Sequence, residues 1–264
     1  MVAETQQPGI AGNTAIILVG PRYPENIGAS ARIAFNFGID QIIVVTDEEP
    51  DQERMLKMAT HKAAHIINNM ALYRDTAEAV ASFQFIIGTT ARHGRHRIPQ
   101  QTPREVMAAI APLVQNNKVA LMFGPENTGL TNRELDFCQF NSTISTAAFS
   151  SLNLAQAVAI HCYELSMAAN LSSTSPVPDA DYANTHQLEG MFHHIEQALA
   201  TTTYLGEQNA TYWMRNIRQF FSRVRIKKKE ASMIRGVCRK FLWHYGVYGI
   251  EGKKGPEDGK NLME

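Results

Sequence analysis

The side chains of this chain that could do chemistry lie in three short polar stretches. They are two amides, a carboxylate and a guanidinium, namely Asn26, Asn153, Glu126 and Arg32. The carboxylate lies in a loop directly after an apolar run with the length of a buried strand. Polar loops at strand ends of an α/β chain are where small ligands usually bind. The pattern therefore predicts that a small ligand is bound and positioned at strand ends.

The loop with the carboxylate is Gly124–Gly129, which follows the apolar run Lys118–Phe123. Its two glycines can bring backbone N–H groups close to a ligand, and Pro125 fixes the turn. Thr131 follows as a predicted N-cap, with Glu134 three residues on to complete a capping box. On this pattern alone the loop is either a ligand-binding loop or a plain turn.

Apolar runs that alternate with helical patterns must position these loops. The predicted strands are Ala15–Val19, Gln41–Val45, Phe83–Ile87, Lys118–Phe123 and Ser142–Thr146. The predicted helices are one that begins near Asn26, Glu53–Met70, Pro103–Val114, and one that opens at Leu154 with Ser150 or Ser151 as its N-cap. Strands that alternate with helices favour a parallel sheet covered on both faces, so the predicted fold class is α/β.

A second polar loop follows the predicted strand Phe83–Ile87. Gly88–Ala91 leads into three arginines, Arg92, Arg95 and Arg97. Basic and hydroxyl groups thus gather at another strand end. Because loops carry both charge and function, this segment is either part of a binding site or a solvated loop.

Several functional classes are excluded by motif or spacing. No G-K-[ST] follows Gly28 and G-x-G-x-x-G is absent, so the chain has no nucleotide-binding loop of either kind. His61 and His65 stand four residues apart without a matching acid or third ligand, so we predict no metal site. Three widely spaced cysteines without a C-x-x-C favour a reducing, cytoplasmic compartment. No apolar run approaches the roughly 20 residues of a membrane span.

Length and composition predict one ordinary domain with an extension. The chain has 264 residues, of which 44% are hydrophobic. Residues 1–171 form the predicted α/β domain, and residues 172–187, rich in Ser, Pro, Asp and Asn, a linker. Residues 188–250 carry three helical apolar stripes, and residues 251–264 are predicted to be a disordered tail.

The charge of the extension is uneven although the formal net charge of the chain is zero. Between Trp213 and Lys240 there are ten basic residues and one acid, Glu230. Such a density fits a surface for RNA or another phosphate-rich partner. It fits a merely solvated face equally well.

Three stretches in order resemble the three motifs of the SpoU/TrmH-type 2′-O-ribose RNA methyltransferases of the SPOUT superfamily. They are Asn26–Arg32, Leu121–Leu130 and Ser150–Ala157. Each alone is a weak signal, but all three in order and at strand ends are highly specific. The likeness covers Ala15 to about Asn170. Met214–Phe221 and Met233–Val237 also resemble the C-terminal helices of the TrmJ subgroup.

The resemblance implies a sheet whose C-terminal segment passes through a loop as a trefoil knot, which binds S-adenosylmethionine. It also implies a homodimer with the cofactor and ribose sites close to the subunit interface. Carried over residue by residue, the cofactor positions are Thr89, Thr90, Ala91, Gly124, Ile144, Ser150, Ser151 and Leu152.

The reaction implied is attack of a ribose 2′-hydroxyl on the methyl group of a sulfonium. Because a guanidinium is almost never deprotonated, we expect Arg32 to orient the target phosphate and stabilise the developing alkoxide, in preference to acting as a general base. We expect Asn26 and Glu126 to fix Arg32 and the loop, and Asn153 to hold the knot backbone or the ribose. An ordinary ion pair between Arg32 and Glu126 is the alternative.

The substrate implied by the resemblance is RNA, namely tRNA at position 32 of the anticodon loop; neither DNA nor a membrane is expected as a partner. The basic residues predicted to contact RNA are Arg22, Arg92, Arg95, Arg97, Arg218, Lys227, Lys228 and Lys229. Two alternatives stay open: the same chemistry on another tRNA site or on ribosomal RNA, and a non-catalytic RNA-binding module.

Overall fold

A computed structural model describes residues 10–91, 100–147, 152–172, 181–202 and 209–245. The strands are β1 (Thr14–Val19), β2 (Gln41–Val45), β3 (Ala71–Tyr73), β4 (Phe85–Thr89), β5 (Gln100–Gln101), β6 (Val119–Phe123) and β7 (Phe140–Ser142). The helices of the α/β domain are α1 (Ile10–Asn13), α2 (Pro24–Asn36), α3 (Gln52–Asn68), α4 (Thr76–Val80), α5 (Pro103–Val114), α6 (Asn132–Leu135) and α7 (Leu154–Ser172). Those of the extension are α8 (Thr185–Ala200), α9 (Ala210–Ser222) and α10 (Lys228–His244).

The seven strands form one sheet in the order β3-β2-β1-β6-β4-β7-β5, and every described pairing is parallel. Parallel strands end at the same edge, so the loops after β1, β4, β6 and β7 lie together. The predicted α/β class and parallel sheet are confirmed. The trefoil knot does not follow from the strand order and stays a prediction.

Two strands differ from their predicted bounds by two residues or more. β7 ends at Ser142, where the prediction had a strand begin, and β4 is shifted two residues toward the C-terminus. The short strands β3 and β5 were not predicted, because three- and two-residue strands have no periodicity to read.

Side chains of alternate strand positions fill two cores, one on each face of the sheet. Ile16 and Leu18 of β1 pack with the helices α2, α3, α5 and α7. Ala15 and Ile17 face α4 and α6. Full burial of an Ile or Leu side chain contributes about 1.5–3 kcal/mol to the free energy of unfolding. The buried side chains of the central strands therefore stabilise the packing of the helices on the sheet.

Gly28 allows α2 to approach α3 closely. A Cβ atom there would lie 2.0 Å from the backbone oxygen of Met55, which cannot move aside as a flexible side chain can. A second contact between the two helices is a bidentate ion pair, in which Arg54 Nε and Nη2 donate to the Glu25 carboxylate at 2.8 and 2.9 Å. The start of α2, which carries Asn26, is thereby fixed against α3.

The extension is joined to the sheet by hydrogen bonds at the start of α8. The Thr185 N–H and hydroxyl both donate to the Phe83 carbonyl, at 2.9 and 3.0 Å. Asn184 caps the helix through a capping box with Gln187. The prediction of a linker as far as Gln187 is therefore wrong at its end, because the cap starts the helix three residues earlier.

A small core holds the three helices of the extension together. It contains Met191, Phe192, Met214 and Ile226. Much of the predicted apolar stripes stays outside this core, since Phe220, Met233 and Val237 are exposed. No helix in the described part of the chain is long and apolar enough to cross a membrane.

Candidate active site and cofactor cavity

A cavity of about 280 Å³ opens at the carboxyl ends of β4, β6 and β7, beside the start of α7. Its walls include six of the predicted cofactor residues: Thr89, Thr90, Ala91, Gly124, Ile144 and Leu152. The other two, Ser150 and Ser151, lie outside the described residues. The volume is close to the roughly 300 Å³ at which small-ligand pockets begin.

The loop after β6 is a tight turn that closes on itself. The Gly129 N–H donates to the Pro125 carbonyl at 2.8 Å, and Gly129 has φ +62°, a conformation that favours glycine. At Gly124 a Cβ atom would lie 2.3 Å from the Leu130 nitrogen and 2.4 Å from the Gly129 carbonyl carbon. The absence of a side chain at Gly124 is thus needed by the loop itself, and not only by the approach of a ligand as the sequence pattern indicated.

Three of the four predicted catalytic side chains form a continuous chain of hydrogen bonds. Asn26 Nδ2 donates to Glu126 Oε1 at 2.5 Å, and Asn153 Nδ2 donates to Asn26 Oδ1 at 3.0 Å. The second oxygen, Glu126 Oε2, accepts from the Arg22 backbone N–H at 3.0 Å. The loops after β1 and β6 and the start of α7 are thereby held in one arrangement beside the cavity.

Asn153 is also the N-cap of α7. Its Oδ1 accepts from the N–H groups of Ala155 at 2.9 Å and Gln156 at 3.3 Å. The prediction that Ser150 or Ser151 caps this helix is therefore wrong. Asn153 Oδ1 caps the helix and Asn153 Nδ2 donates to Asn26, so this one side chain couples the start of α7 to the Glu126 loop through Asn26.

We predict that Asn26→Asp lowers kcat/KM at least about tenfold, since it replaces a donor to Glu126 with a carboxylate and leaves Glu126 Oε1 without its partner. Steady-state methyl transfer and thermal unfolding should both be measured. Asn36→Asp, an exposed position on the same helix, is the matched control for the added charge. Wild-type kinetics in Asn26→Asp would show that the chain of hydrogen bonds does not position the site.

Arg32 lies apart from the other three catalytic candidates. It is exposed on the C-terminal half of α2, and no hydrogen bond or ion pair joins its side chain to Asn26, Glu126 or any other described residue. Six residues of α-helix place it about 9 Å along the axis and about 120° around from Asn26. The expectation that Asn26 and Glu126 fix Arg32 is therefore wrong, as is the alternative of an Arg32–Glu126 ion pair.

A buried histidine that the sequence analysis did not single out lines the same cavity. His161 of α7 is fully buried; its Nδ1 lies 2.8 Å from the Ala157 carbonyl and its Nε2 2.8 Å from Ser142 Oγ. Its ring meets the Phe123 ring edge-on. Burial lowers the pKa of His161 to about 4, so the ring is neutral near pH 7.

Some of the residues predicted to contact RNA are exposed, and others are paired with an acidic side chain. Arg22, Lys227 and Lys229 are exposed, whereas Lys228 Nζ lies 2.6 Å from Asp181 Oδ1. Arg92, Arg95 and Arg97 lie outside the described residues.

Arg218 has a structural role that conflicts with phosphate binding. Both terminal nitrogens of its guanidinium donate to the Glu189 carboxylate, and the group lies 4.5 Å above the Phe192 ring. Hydrogen bonding to Glu189, against the cost of burial, raises the pKa of Arg218. Arg218 faces a larger cavity of about 360 Å³ between the extension and the sheet, which none of the catalytic candidates lines. Arg218 is therefore engaged by Glu189 and is not among the RNA contacts that we propose.

No group of three potential metal ligands occurs among the described residues. His61 and His65 are both exposed on α3, and His65 lies 4.0 Å from Asp40.

Comparison with known proteins agrees with this fold and site. The model described as the SpoU rRNA Methylase family matches residues 13–163, which hold the sheet and all four catalytic candidates. The chain therefore belongs to the SpoU methylase family, and it is a methyltransferase enzyme. The predicted family is thus confirmed.

The extension resembles a particular branch of that family. Residues 186–246 match the model described as the tRNA methyltransferase TrmJ, C-terminal domain. The tRNA (cytidine/uridine/adenosine-2′-O-)-methyltransferase TrmJ of Pseudomonas aeruginosa (strain UCBPP-PA14) is 32% identical over 84% of this chain and 91% of its own length. The tRNA (cytidine/uridine-2′-O-)-methyltransferase TrmJ of Yersinia enterocolitica is 31% identical over 94% and 99%. The crystal structure of TrmJ from Z. mobilis ZM4 has a TM-score of 0.74 at 30% identity, covering 86% of this chain and 98% of that one.

Proposed function

We propose that this enzyme transfers a methyl group from S-adenosylmethionine to the ribose 2′-hydroxyl of a cytidine or uridine in tRNA, at position 32 of the anticodon loop. The observation that carries the proposal is the chain of hydrogen bonds from Glu126 through Asn26 to Asn153 beside the cavity. The match of the extension to the TrmJ C-terminal domain and the names of the relatives support tRNA as the substrate. We also propose that the protein acts in the cytoplasm, as the cysteine usage predicts.

The cavity fits an adenosyl group. Aliphatic side chains of Leu130, Ile144 and Leu152 can cover a planar ring, and the hydroxyls of Thr89 and Ser142 can meet its polar edges. In addition, the backbone N–H groups of Gly124 and Ile144 donate to no other described residue. Donors without a partner among the described residues, at the wall of such a cavity, are what a ligand with nitrogen and oxygen acceptors requires. When bound, S-adenosylmethionine supplies the methyl group as an electrophile on a positively charged sulfur.

The residues of this chain would position the nucleophile. The side chains of Glu126 and Asn26 have fixed orientations, because both carboxylate oxygens of Glu126 and both amide atoms of Asn26 are hydrogen-bonded within the protein. Holding a ribose against the methyl donor in this way lowers the entropic cost of the reaction. Arg32 on the C-terminal half of α2 and Arg22 in the loop before that helix are both exposed, and they would bind phosphates next to the target nucleotide.

A test of the substrate uses purified enzyme and labelled S-adenosylmethionine. Total tRNA and ribosomal RNA from a strain lacking the gene are offered separately, and the methylated nucleotide is mapped. We expect label in tRNA at position 32. Label only in ribosomal RNA would support methylation of ribosomal RNA, the alternative that the family name SpoU rRNA Methylase allows. Label in neither RNA, together with no cofactor binding, would support a non-catalytic RNA-binding module.

We further propose that the enzyme is a homodimer that uses α7. Three large apolar side chains, Tyr163, Met167 and Leu171, are exposed at intervals of four residues on one face of this helix. The first turn of the same helix lines the cavity, so a second copy bound there would come close to the active site.

We predict that Met167→Glu converts the dimer into a monomer, because a charge buried in an apolar interface is left unpaired. Light scattering after gel filtration gives the mass. The matched control is Met58→Glu on α3, since Met58 is 42% exposed and Met167 43%. A wild-type monomer, or equal masses for the wild type and Met167→Glu, would contradict a dimer through α7.

A further inference from the structure

His161 and Ser142 form a pair whose hydrogen bonds are fully determined. The Ala157 carbonyl can only accept, so the nitrogen that faces it, Nδ1 of His161, carries the ring proton. The ring is neutral near pH 7, so its other nitrogen, Nε2, is an acceptor. The Ser142 hydroxyl must therefore donate its single proton to Nε2.

Because its proton is donated to His161, the Ser142 hydroxyl can act toward the cavity only as a hydrogen-bond acceptor. A serine hydroxyl can ordinarily rotate to act as donor or acceptor. Here rotation would break a 2.8 Å hydrogen bond inside a buried site, leaving Nε2 of His161 without a partner. Both residues line the cavity although neither is exposed to bulk solvent, so a ligand that fills the cavity would meet a fixed acceptor here.

The surroundings favour a flat ring at this acceptor. Phe123, Leu154 and Ala157 line the same cavity as the pair, and the Phe123 ring meets the His161 ring edge-on. A heteroaromatic ring can lie against such side chains and direct a polar edge at Ser142. In an adenosyl group the ring donor is the exocyclic amino group of adenine.

We propose that the Ser142 hydroxyl, held as an acceptor by His161, reads the exocyclic amino group of adenine and makes the cavity prefer adenosyl over inosyl ligands. The proposal rests on the proposed cofactor. An inosyl ring has a carbonyl oxygen where adenine has its amino group, so it would bring two acceptors face to face. His161 is a positioning residue in this scheme, because it acts through Ser142.

The test is calorimetric binding of S-adenosylhomocysteine and S-inosylhomocysteine to the full-length enzyme. We expect the wild type to prefer the adenosyl ligand by about tenfold or more, since a buried acceptor without its donor is penalised. Ser142→Ala should reduce that preference to within about threefold, chiefly by weakening adenosyl binding. His161→Phe keeps a ring but frees the Ser142 proton, and should move the preference toward the inosyl ligand.

Thr143→Ala is the matched control, because the Thr143 hydroxyl donates to the Thr90 carbonyl at 2.8 Å and does not line the cavity. It should keep the wild-type preference. Nitrogen NMR of the His161 ring, without ligand, reads the pair directly: Nδ1 should be protonated and Nε2 unprotonated near pH 7. If His161→Phe does not fold, Ser142→Ala and the NMR measurement still decide.

Equal affinity of the wild type for the two ligands, an unchanged preference in Ser142→Ala, or a proton on Nε2 would overturn the proposal. Binding of neither ligand would overturn the cofactor assignment of the proposed function, and the reading role with it. Tight adenosyl binding without RNA methylation would instead contradict only the proposed reaction.

Discussion

Replacing Arg32 with alanine is expected to reduce methyl transfer by about 10²- to 10³-fold, the usual loss when one group that stabilises developing charge is removed. The affinity for S-adenosylmethionine should stay within about twofold of wild type. The physical reason is its position: Arg32 is exposed on α2 and does not line the cavity. Single-turnover transfer to tRNA and calorimetric cofactor binding measure the two quantities separately.

Arg32→Lys separates two roles for this residue. Lysine keeps the positive charge but lacks the planar fork that binds a phosphate through two hydrogen bonds, so an orienting role predicts partial activity. An amine loses its proton more readily than a guanidinium, so a general-base role predicts that Arg32→Lys matches or exceeds the wild type as the pH is raised.

Arg74→Ala is the control for loss of a surface charge, since Arg74 is exposed after β3 on the outer strand of the sheet. It should be as active as the wild type. Equal losses of transfer and of cofactor affinity in Arg32→Ala would place Arg32 in the cofactor pocket or in the folding of the domain, contrary to our assignment.

Much of the α/β domain could be predicted because its strands are buried on both faces. Gln41–Val45 and Pro103–Val114 have the predicted bounds, and the capping box of Thr131 and Glu134 is present. Continuous apolar runs between turn residues give a clear pattern of this kind. The meeting of the loops at one sheet edge then follows from parallel pairing alone.

The partners of individual side chains could not be predicted. Asn153 is the N-cap of α7 although two serines stand before it, because either residue type can cap a helix and only the chain path decides. The helical spacing of Leu154, Val158 and Leu165 places His161 on the same buried face, so its burial could have been read from the sequence. Its contact with Ser142 depends on how β7 packs against α7, which spacing does not give.

The charged residues of the extension illustrate the same limit. Arg218 and Lys229 have the same charge in the sequence, yet one is bound to Glu189 and the other is exposed. Amphipathic spacing shows that a basic residue lies off the apolar stripe of its helix. It does not show whether an acidic side chain of a neighbouring helix pairs with that residue. Only the packing of α8 against α9 brings Glu189 to Arg218.

Exposed basic residues in the α9–α10 connection and the first turn of α10 should dominate tRNA affinity. Arg225, Lys227 and Lys229 are exposed, and they flank a segment that the structure holds in place: Ile226 is buried and its carbonyl accepts from the Ala183 N–H at 2.9 Å. Cations on a fixed segment can contact several phosphates at once without losing much conformational entropy on binding. A tRNA extends well beyond the cavity, so contacts of this kind must supply much of the affinity.

Replacing Arg225, Lys227 and Lys229 together with alanine should weaken tRNA binding about a hundredfold at about 0.1 M salt, and lower the slope of log affinity against log salt by about 2 to 3. Cofactor affinity should not change, because none of the three lines the cofactor cavity. Lys228 is left intact because it is paired with Asp181. Filter binding across a salt series gives both quantities.

The matched control replaces Lys57, Lys62 and Arg74, three exposed cations of the α/β domain, and so changes the net charge by the same amount. If phosphate contacts lie at the extension, this control keeps nearly the wild-type slope. Equal reductions in the two triple variants would mean that tRNA responds to total charge alone. A wild-type slope in the variant of the extension would instead leave α9 and α10 a packing role, with the tRNA bound through Arg22, Arg32 and their neighbours.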